Sequence, residues 1–182
     1  MRSRALLAPI VVLTLLAVAA PAAAQDEPRF TVAGSYTILN DSDLEETFPV
    51  GWLLAVTRNL NSTFSLVGEM GGNYKTLELG GDDIDFKVHA FLAGVRVRSA
   101  RANVIPFAQV LAGVANGSVS VPGTGESDSS NGFAVQPGAG IDFNFTPSAG
   151  LRLQADYRLI RDEGENTNQF RFAAGIVFGF GR

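Results

Sequence analysis

The chain has no cysteine, one histidine, and charge on only 18% of its 182 residues. Without cysteine there is no disulfide scaffold, thiolate zinc site or cysteine nucleophile. A single histidine, His89, excludes a multi-histidine metal centre and leaves one imidazole for any acid–base scheme. The formal net charge of −4 argues against a nucleic-acid partner, which requires a basic patch to displace counterions from phosphates. What is abundant is hydrophobic character, at 46%, together with 20 Gly and 13 Phe, in a length that fits one domain.

The N-terminal segment reads as an export signal. Arg2 and Arg4 supply a positive start, Ala5 to Ala20 is a charge-free apolar stretch, and Ala22-Ala23-Ala24 offers a small-x-small cleavage site. The stretch is short for a spanning helix, which needs roughly 20 apolar residues. Residues 1–24 are therefore expected to be a signal peptide and 25–182 the mature domain, starting at Gln25. Removing two arginines leaves 12 basic against 18 acidic residues, a balance of −6.

The mature chain alternates. From Phe133 to Phe145 the odd positions are Phe, Val, Pro, Ala, Ile, Phe and Phe, with Gln136, Asp142 and Asn144 among the even ones. Leu151 to Leu159 sets Arg152, Gln154, Asp156 and Arg158 between apolar residues, and Phe170 to Phe180 does the same with apolar even positions. Phe30 to Ile38, Val50 to Val56 and Phe64 to Tyr74 follow this pattern too. A sustained period of 2 predicts strands. Phe86 to Arg98 and Val104 to Val114 complete a set of eight, but both carry apolar residues on both faces, so a bulge near Gly94 or Gly113 could flip their phase.

Short links at 59–61, 99–103 and 146–148 alternate with long polar links at 39–47, 75–85, 115–131 and 161–168. That arrangement, with strands long enough to cross a bilayer, predicts an all-β, eight-stranded antiparallel up-and-down transmembrane barrel. A soluble lipocalin-like barrel also alternates, with its apolar set inward. Here the apolar set is too bulky for a small interior, whereas the other set is rich in Gly, Ala and Ser. Two aromatic girdles are expected: Tyr36, Phe48, Tyr74, Phe86, Phe133, Tyr157 and Phe170 towards the long links, and Phe30, Phe64, Phe143, Phe145, Phe178 and Phe180 towards the short turns.

The segments "GLRLQADYRLI" and "NQFRFAAGIVFGFG" resemble the closing hairpin of the small outer-membrane β-barrel superfamily, the OmpA/OmpX-like proteins. The resemblance implies a Gram-negative-type outer membrane, contact with its lipids and lipopolysaccharide, and delivery by periplasmic chaperones to the outer-membrane assembly machinery. Such proteins commonly end on an aromatic residue. Here Phe180 is followed by Gly181 and Arg182, displacing that signal by two residues.

The interior of such a barrel holds side chains rather than a pore. The expected lumen set is Glu69, Lys87, His89, Gln109, Gln136, Asp142, Arg152, Gln154, Asp156, Arg158 and Arg171. A turn centred on Pro147 places Asp142 opposite Arg152. A loop centred between Gly164 and Glu165 places Arg158 opposite Arg171, with Asp156 diagonal to Arg171. Buried charges persist only when paired, so the set reads as a polar plug; an ion-pair gate over a narrow conducting path is the alternative. Of 18 acids, 13 fall in the long links, Asp41, Asp43, Glu45 and Glu46 in the first; they read as a solvated acidic rim. "GGDDID" lacks the spaced ligands of a calcium loop, so no metal is expected. Arg58, Arg98 and Arg101 gather at the short-turn side. A lipid A-modifying enzyme would need a nucleophile and an oriented base, and His89 has no neighbouring serine in sequence. The expectation is a monomeric, non-catalytic structural or surface-interaction protein without cofactor.

Overall fold

The computed structural model describes residues 28–43, 46–79, 82–99, 103–120, 127–162 and 165–181. The export signal and its cleavage site lie outside these residues. The strands are β1 (Phe30–Asp41), β2 (Glu46–Phe48), β3 (Val50–Asn59), β4 (Phe64–Leu79), β5 (Asp82–Arg98), β6 (Val104–Ser120), β7 (Ser127–Thr146), β8 (Ala149–Asp162) and β9 (Glu165–Phe180). Each pairs antiparallel with its neighbour, and β9 pairs with β1 from Phe30↔Phe180 to Asp41↔Gln169. The sheet closes on itself, so the barrel has no open edge along this seam. β2 and β3 together form one stave, giving the eight of the expected architecture.

Pro49 separates β2 from β3. β1 pairs Tyr36 with Trp52 but Leu39 with Phe48, so the β2–β3 stave carries one extra residue at this point. A proline has no N–H to give a ladder and suits such a bulge. A one-residue shift also turns every following side chain to the opposite face. Phe48, expected in the outer girdle, accordingly points inward and is buried beside Leu39.

No bulge interrupts β5 or β6, whose register runs unbroken from Asp85↔Ser120 to Arg98↔Phe107. Gly94 and Gly113 mark close strand approach instead. A Cβ on Gly94 would lie 2.1 Å from the Val110 carbonyl oxygen, and one on Gly113 would lie 2.1 Å from that of Phe91. The phase of β5 places Ala90, Leu92, Arg96 and Arg98 inside and Phe91 and Val95 outside.

The long polar links are mostly strand. β4 and β5 stay paired to Leu79↔Asp82, and β6 and β7 to Ser120↔Ser127, leaving only 121–126 between the latter two. β3 leaves β4 at Val50↔Tyr74, and β8 meets β7 only from Phe133↔Arg161. β4 to β7 therefore rise as a four-stranded sheet above the rest of the barrel. Asp41 is not a rim residue: it ends β1 facing inward and is buried.

Outside the barrel, register defines cross-strand rows over β3 to β7. One row reads Leu54, Met70, Phe91, Val114 and Phe133. The next reads Trp52, Gly72, His89, Asn116 and Asn131, and the one beyond it Val50, Tyr74, Lys87, Ser118 and Ser129. The apolar band thus ends on β5 to β7 within a single step.

Candidate functional site

Inward positions carry two layers of chemistry. An apolar cluster of Val67, Ala90, Leu92, Leu111, Ala115 and Ala134 packs on one side, with Ile160 against it. Ala33, Ala55 and Val177 form a second apolar cluster, and a charged network is centred on Glu69, which β4 sets among residues from four other strands. Glu69 Oε1 accepts from Gln109 Nε2 at 2.8 Å and Gln154 Nε2 at 3.0 Å. Its Oε2 accepts from Arg171 Nη2 at 2.7 Å and Gln136 Nε2 at 3.2 Å. One carboxylate thereby ties β4 to β6, β7, β8 and β9 across the lumen.

Arg171 also donates to Asp156 Oδ2 through Nε at 3.0 Å and Nη2 at 2.6 Å. Asp156 and Arg171 are direct cross-strand partners, and Arg158 faces Gln169. This corrects the expected Arg158–Arg171 opposition. The β8–β9 hairpin centres one residue earlier, with Asp162↔Glu165 at its tip, and the resulting partner shift of two preserves the inward face while replacing a cation–cation contact with an ion pair. Arg158 Nε donates to Gln136 Oε1 at 2.8 Å, and its Nη1 donates to Gln169 Oε1 at 3.3 Å. Gln169 Nε2 in turn donates to Asp41 Oδ2 at 2.9 Å. Glutamine therefore relays between charges, its carbonyl facing the guanidinium and its amide the carboxylate.

Towards the short turns, Arg152 forms a bidentate pair with Asp142, Nε to Oδ1 and Nη2 to Oδ2, both 2.7 Å. The two are cross-strand partners as expected from the turn at Pro147. Arg96 donates to Gln109 Oε1 from Nε at 3.0 Å and Nη2 at 2.6 Å. Phe107 points inward beneath both guanidiniums, 3.9 Å from Arg96 and 5.1 Å from Arg152 measured to the ring centroid. A ring face attracts cations, so a buried phenylalanine here serves the charge network. Arg98 donates to the Asn61 carbonyl, and Arg58 lies outside over the Phe30 ring; Arg101 falls outside the described residues.

Nine of the eleven residues assigned to the lumen point inward, Gln109, Gln136 and Gln154 among them; Lys87 and His89 do not. Alternation from buried Ala90 puts both on the outer wall, in the first rows past the apolar band. There the Tyr74 hydroxyl lies 3.2 Å from His89 Nε2, and Trp52 Nε1 donates to that hydroxyl at 3.1 Å. Sequence reasoning missed Arg96, Phe107, Gln169 and Asp41 as interior residues. Arg96 and Arg98, two residues apart in an apolar strand, carried the signal that would have set the phase of β5. Of the aromatic set, Phe30, Tyr36, Phe64, Phe133, Phe143, Phe145, Tyr157, Phe170, Phe178 and Phe180 are exposed on the outer wall, and Tyr74 is half-buried there; Phe86, expected in the girdle, shares the inward phase of Ala90 instead.

A closed antiparallel barrel with an apolar exterior and a charge-paired interior is the architecture of a β-barrel membrane protein. The family described as outer membrane protein beta-barrel domain matches residues 10–181, and the chain belongs to it. Among solved structures the chain is similar to Neisserial surface protein A, with a TM-score of 0.66 and 14% identity over 83% of this chain and 96% of that one. It is also similar to Ail, the attachment invasion locus protein of Yersinia pestis, with a TM-score of 0.52 and 19% identity over 84% and 99% of the two chains. The N-terminal barrel of Pseudomonas aeruginosa OprF superposes with a TM-score of 0.54 and 13% identity, covering 82% and 97%. No curated protein matches the sequence.

Proposed function

We propose that the chain is a non-catalytic outer-membrane protein of a Gram-negative-type cell, exported by residues 1–24, whose projecting β4–β7 sheet meets a partner at the cell surface. The observation that carries this reading is the sheet itself. It continues past the last apolar row, bears Asn116, Ser118, Ser129 and Asn131 on its outer face, and is braced by Ser130 donating to Asp162 and Lys75 to Glu46. Asp85, Asp128 and Asp162 lie on this end, so the partner surface is neutral or cationic. A polyanionic sugar such as the heparin analogue bound by Ail would be repelled here.

The lumen acts as a plug. Gln109, Gln154 and Arg171 all donate to Glu69 across it, which supports a structural role over a conducting one. Bilayer recordings of the purified protein should show no discrete conductance above background. Protease treatment of intact cells should cleave within 121–126 and nowhere on the opposite end. Shortening the β4–β5 and β6–β7 hairpins to the height of Tyr74 should abolish binding to target cells while the barrel still folds. Protection of 121–126 on intact cells, or binding unaffected by the shortened hairpins, would reject the reading.

A further inference from the structure

His89 and Lys87 pose a physical problem on the outer wall. Charged or titratable groups on the lipid face of a barrel cost several kcal/mol at mid-bilayer and little near the interface. Both sit in the first two rows beyond Leu54, Met70, Phe91 and Val114, where the apolar surface of β5 and β6 ends. Lys87 is cross-strand from Tyr74, and its side chain is 43% exposed with the Asp85 carboxylate 4.0 Å from its ammonium, a loose contact. Asn116 and Ser118 flank His89 and Lys87 on β6.

The cluster is also built. Trp52 is a donor only, so the Tyr74 oxygen accepts from it at 3.1 Å, and that hydroxyl reaches His89 Nε2 at 3.2 Å. The Tyr74 and His89 rings meet edge-on at 5.6 Å. All three rings converge over Gly72, where a Cβ would lie 2.8 Å from the Tyr74 oxygen and 3.0 Å from both His89 Cδ2 and Trp52 Nε1. Any larger residue would part them.

We propose that Lys87 and His89, held by Tyr74 and Trp52 over Gly72, bind the phosphate head group of an outer-leaflet glycolipid. Lys87 supplies the charge, the bonded Tyr74–His89 pair supplies the one oriented polar hydrogen that their mutual bond leaves free, and Trp52 anchors the site at the interface. The site rests on the outer-membrane reading with the β4–β7 end facing outward.

The chain has one tryptophan and one histidine, so both report on this site without background. The mature protein folded in phosphatidylcholine vesicles is titrated with diphosphorylated lipid A, with dephosphorylated lipid A plus oleic acid to match surface charge, and with inorganic phosphate. Only the first should shift Trp52 emission saturably and move the His89 imidazole NMR signals over the same range. The K87Q/H89Q variant should bind about tenfold or more weakly, the loss of one or two charge-assisted contacts, with unchanged heat-modified gel mobility. Gly72→Ala keeps both polar residues and should weaken binding by displacing the rings. An equal response to dephosphorylated lipid A, or undiminished binding in K87Q/H89Q, overturns the proposal. The same response to inorganic phosphate alone assigns a free anion and overturns the lipid. Vesicles present lipid A to either orientation, so failure here is distinct from failure of the surface-protease experiment.

Discussion

Replacing Glu69 by alanine should remove the single group that ties five strands together. Its two oxygens accept from Gln109, Gln154, Gln136 and Arg171, and the residue is 4% exposed. Breaking a buried ion pair from one side costs about 3–5 kcal/mol, because the remaining charge is left in a poorly solvating interior. Arg171 retains Asp156, which places its share towards the lower figure. Gln154 also retains Asp156, but the Gln109 and Gln136 amides lose their acceptor, each at about 1–3 kcal/mol. The total is about 5–9 kcal/mol, a large part of the stability of a domain this size. Glu69→Gln should cost less, since one oxygen remains for Arg171, while its own amide then confronts the amide donors. Urea unfolding in lipid vesicles, followed by gel mobility with and without heating, measures both. In a double-mutant cycle, Glu69→Ala and Arg171→Ala should couple by at least 1 kcal/mol, as direct contacts do by roughly 0.5–3. A loss below about 1 kcal/mol for Glu69→Ala would show that water enters the lumen freely, and the hub argument would fail.

Three further outcomes follow from the same geometry. Arg152→Ala should destabilise by about 3 kcal/mol or more by stranding Asp142, and an unfolding midpoint equal to that of the parent protein would contradict a buried bidentate pair. Phe48→Ala should cost about 3–5 kcal/mol as a buried aromatic truncation, equally in detergent and lipid, whereas Phe133→Ala on the outer wall should cost less and vary with the lipid; the reverse ranking would place Phe48 outside. Gly138→Val should unfold more readily than the parent, because a Cβ there would stand 2.0 Å from Asp156 Oδ1 and dislodge it from Arg171; intact heat-modified mobility at the parent's urea midpoint would refute this.

The alternation on β1, β3, β4, β7, β8 and β9 was legible because those strands put bulky residues on one face and small or polar ones on the other. Asp142 opposite Arg152 was legible too, because the turn at Pro147 and Ser148 is short and the one-residue register step between Asn144 and Thr146 restores the expected pairing. β5 resisted reading because Ala90, Leu92 and Gly94 line the lumen while Phe91, Ala93 and Val95 face outward, so neither face is polar. Small apolar residues inside pack as an apolar cluster, and within 90–95 nothing distinguishes them from residues facing lipid; only Arg96 and Arg98 beyond them mark the inner face. His89 and Lys87, read as lumen groups on polarity alone, therefore took the wrong face.

The sequence by itself determined an exterior of apolar side chains, because period 2 over long strands leaves one face that no small interior can hold. It also determined that charges such as Arg152, Asp156 and Arg171 share the other face. The tertiary structure alone decided which charges meet. Hairpin closure set Asp156 against Arg171, the stagger of a closed barrel brought Glu69 to partners up to 102 residues away, and one extra residue at Pro49 turned Phe48 inward. Those choices depend on register between strands, which follows from closure of the whole sheet rather than from any single segment.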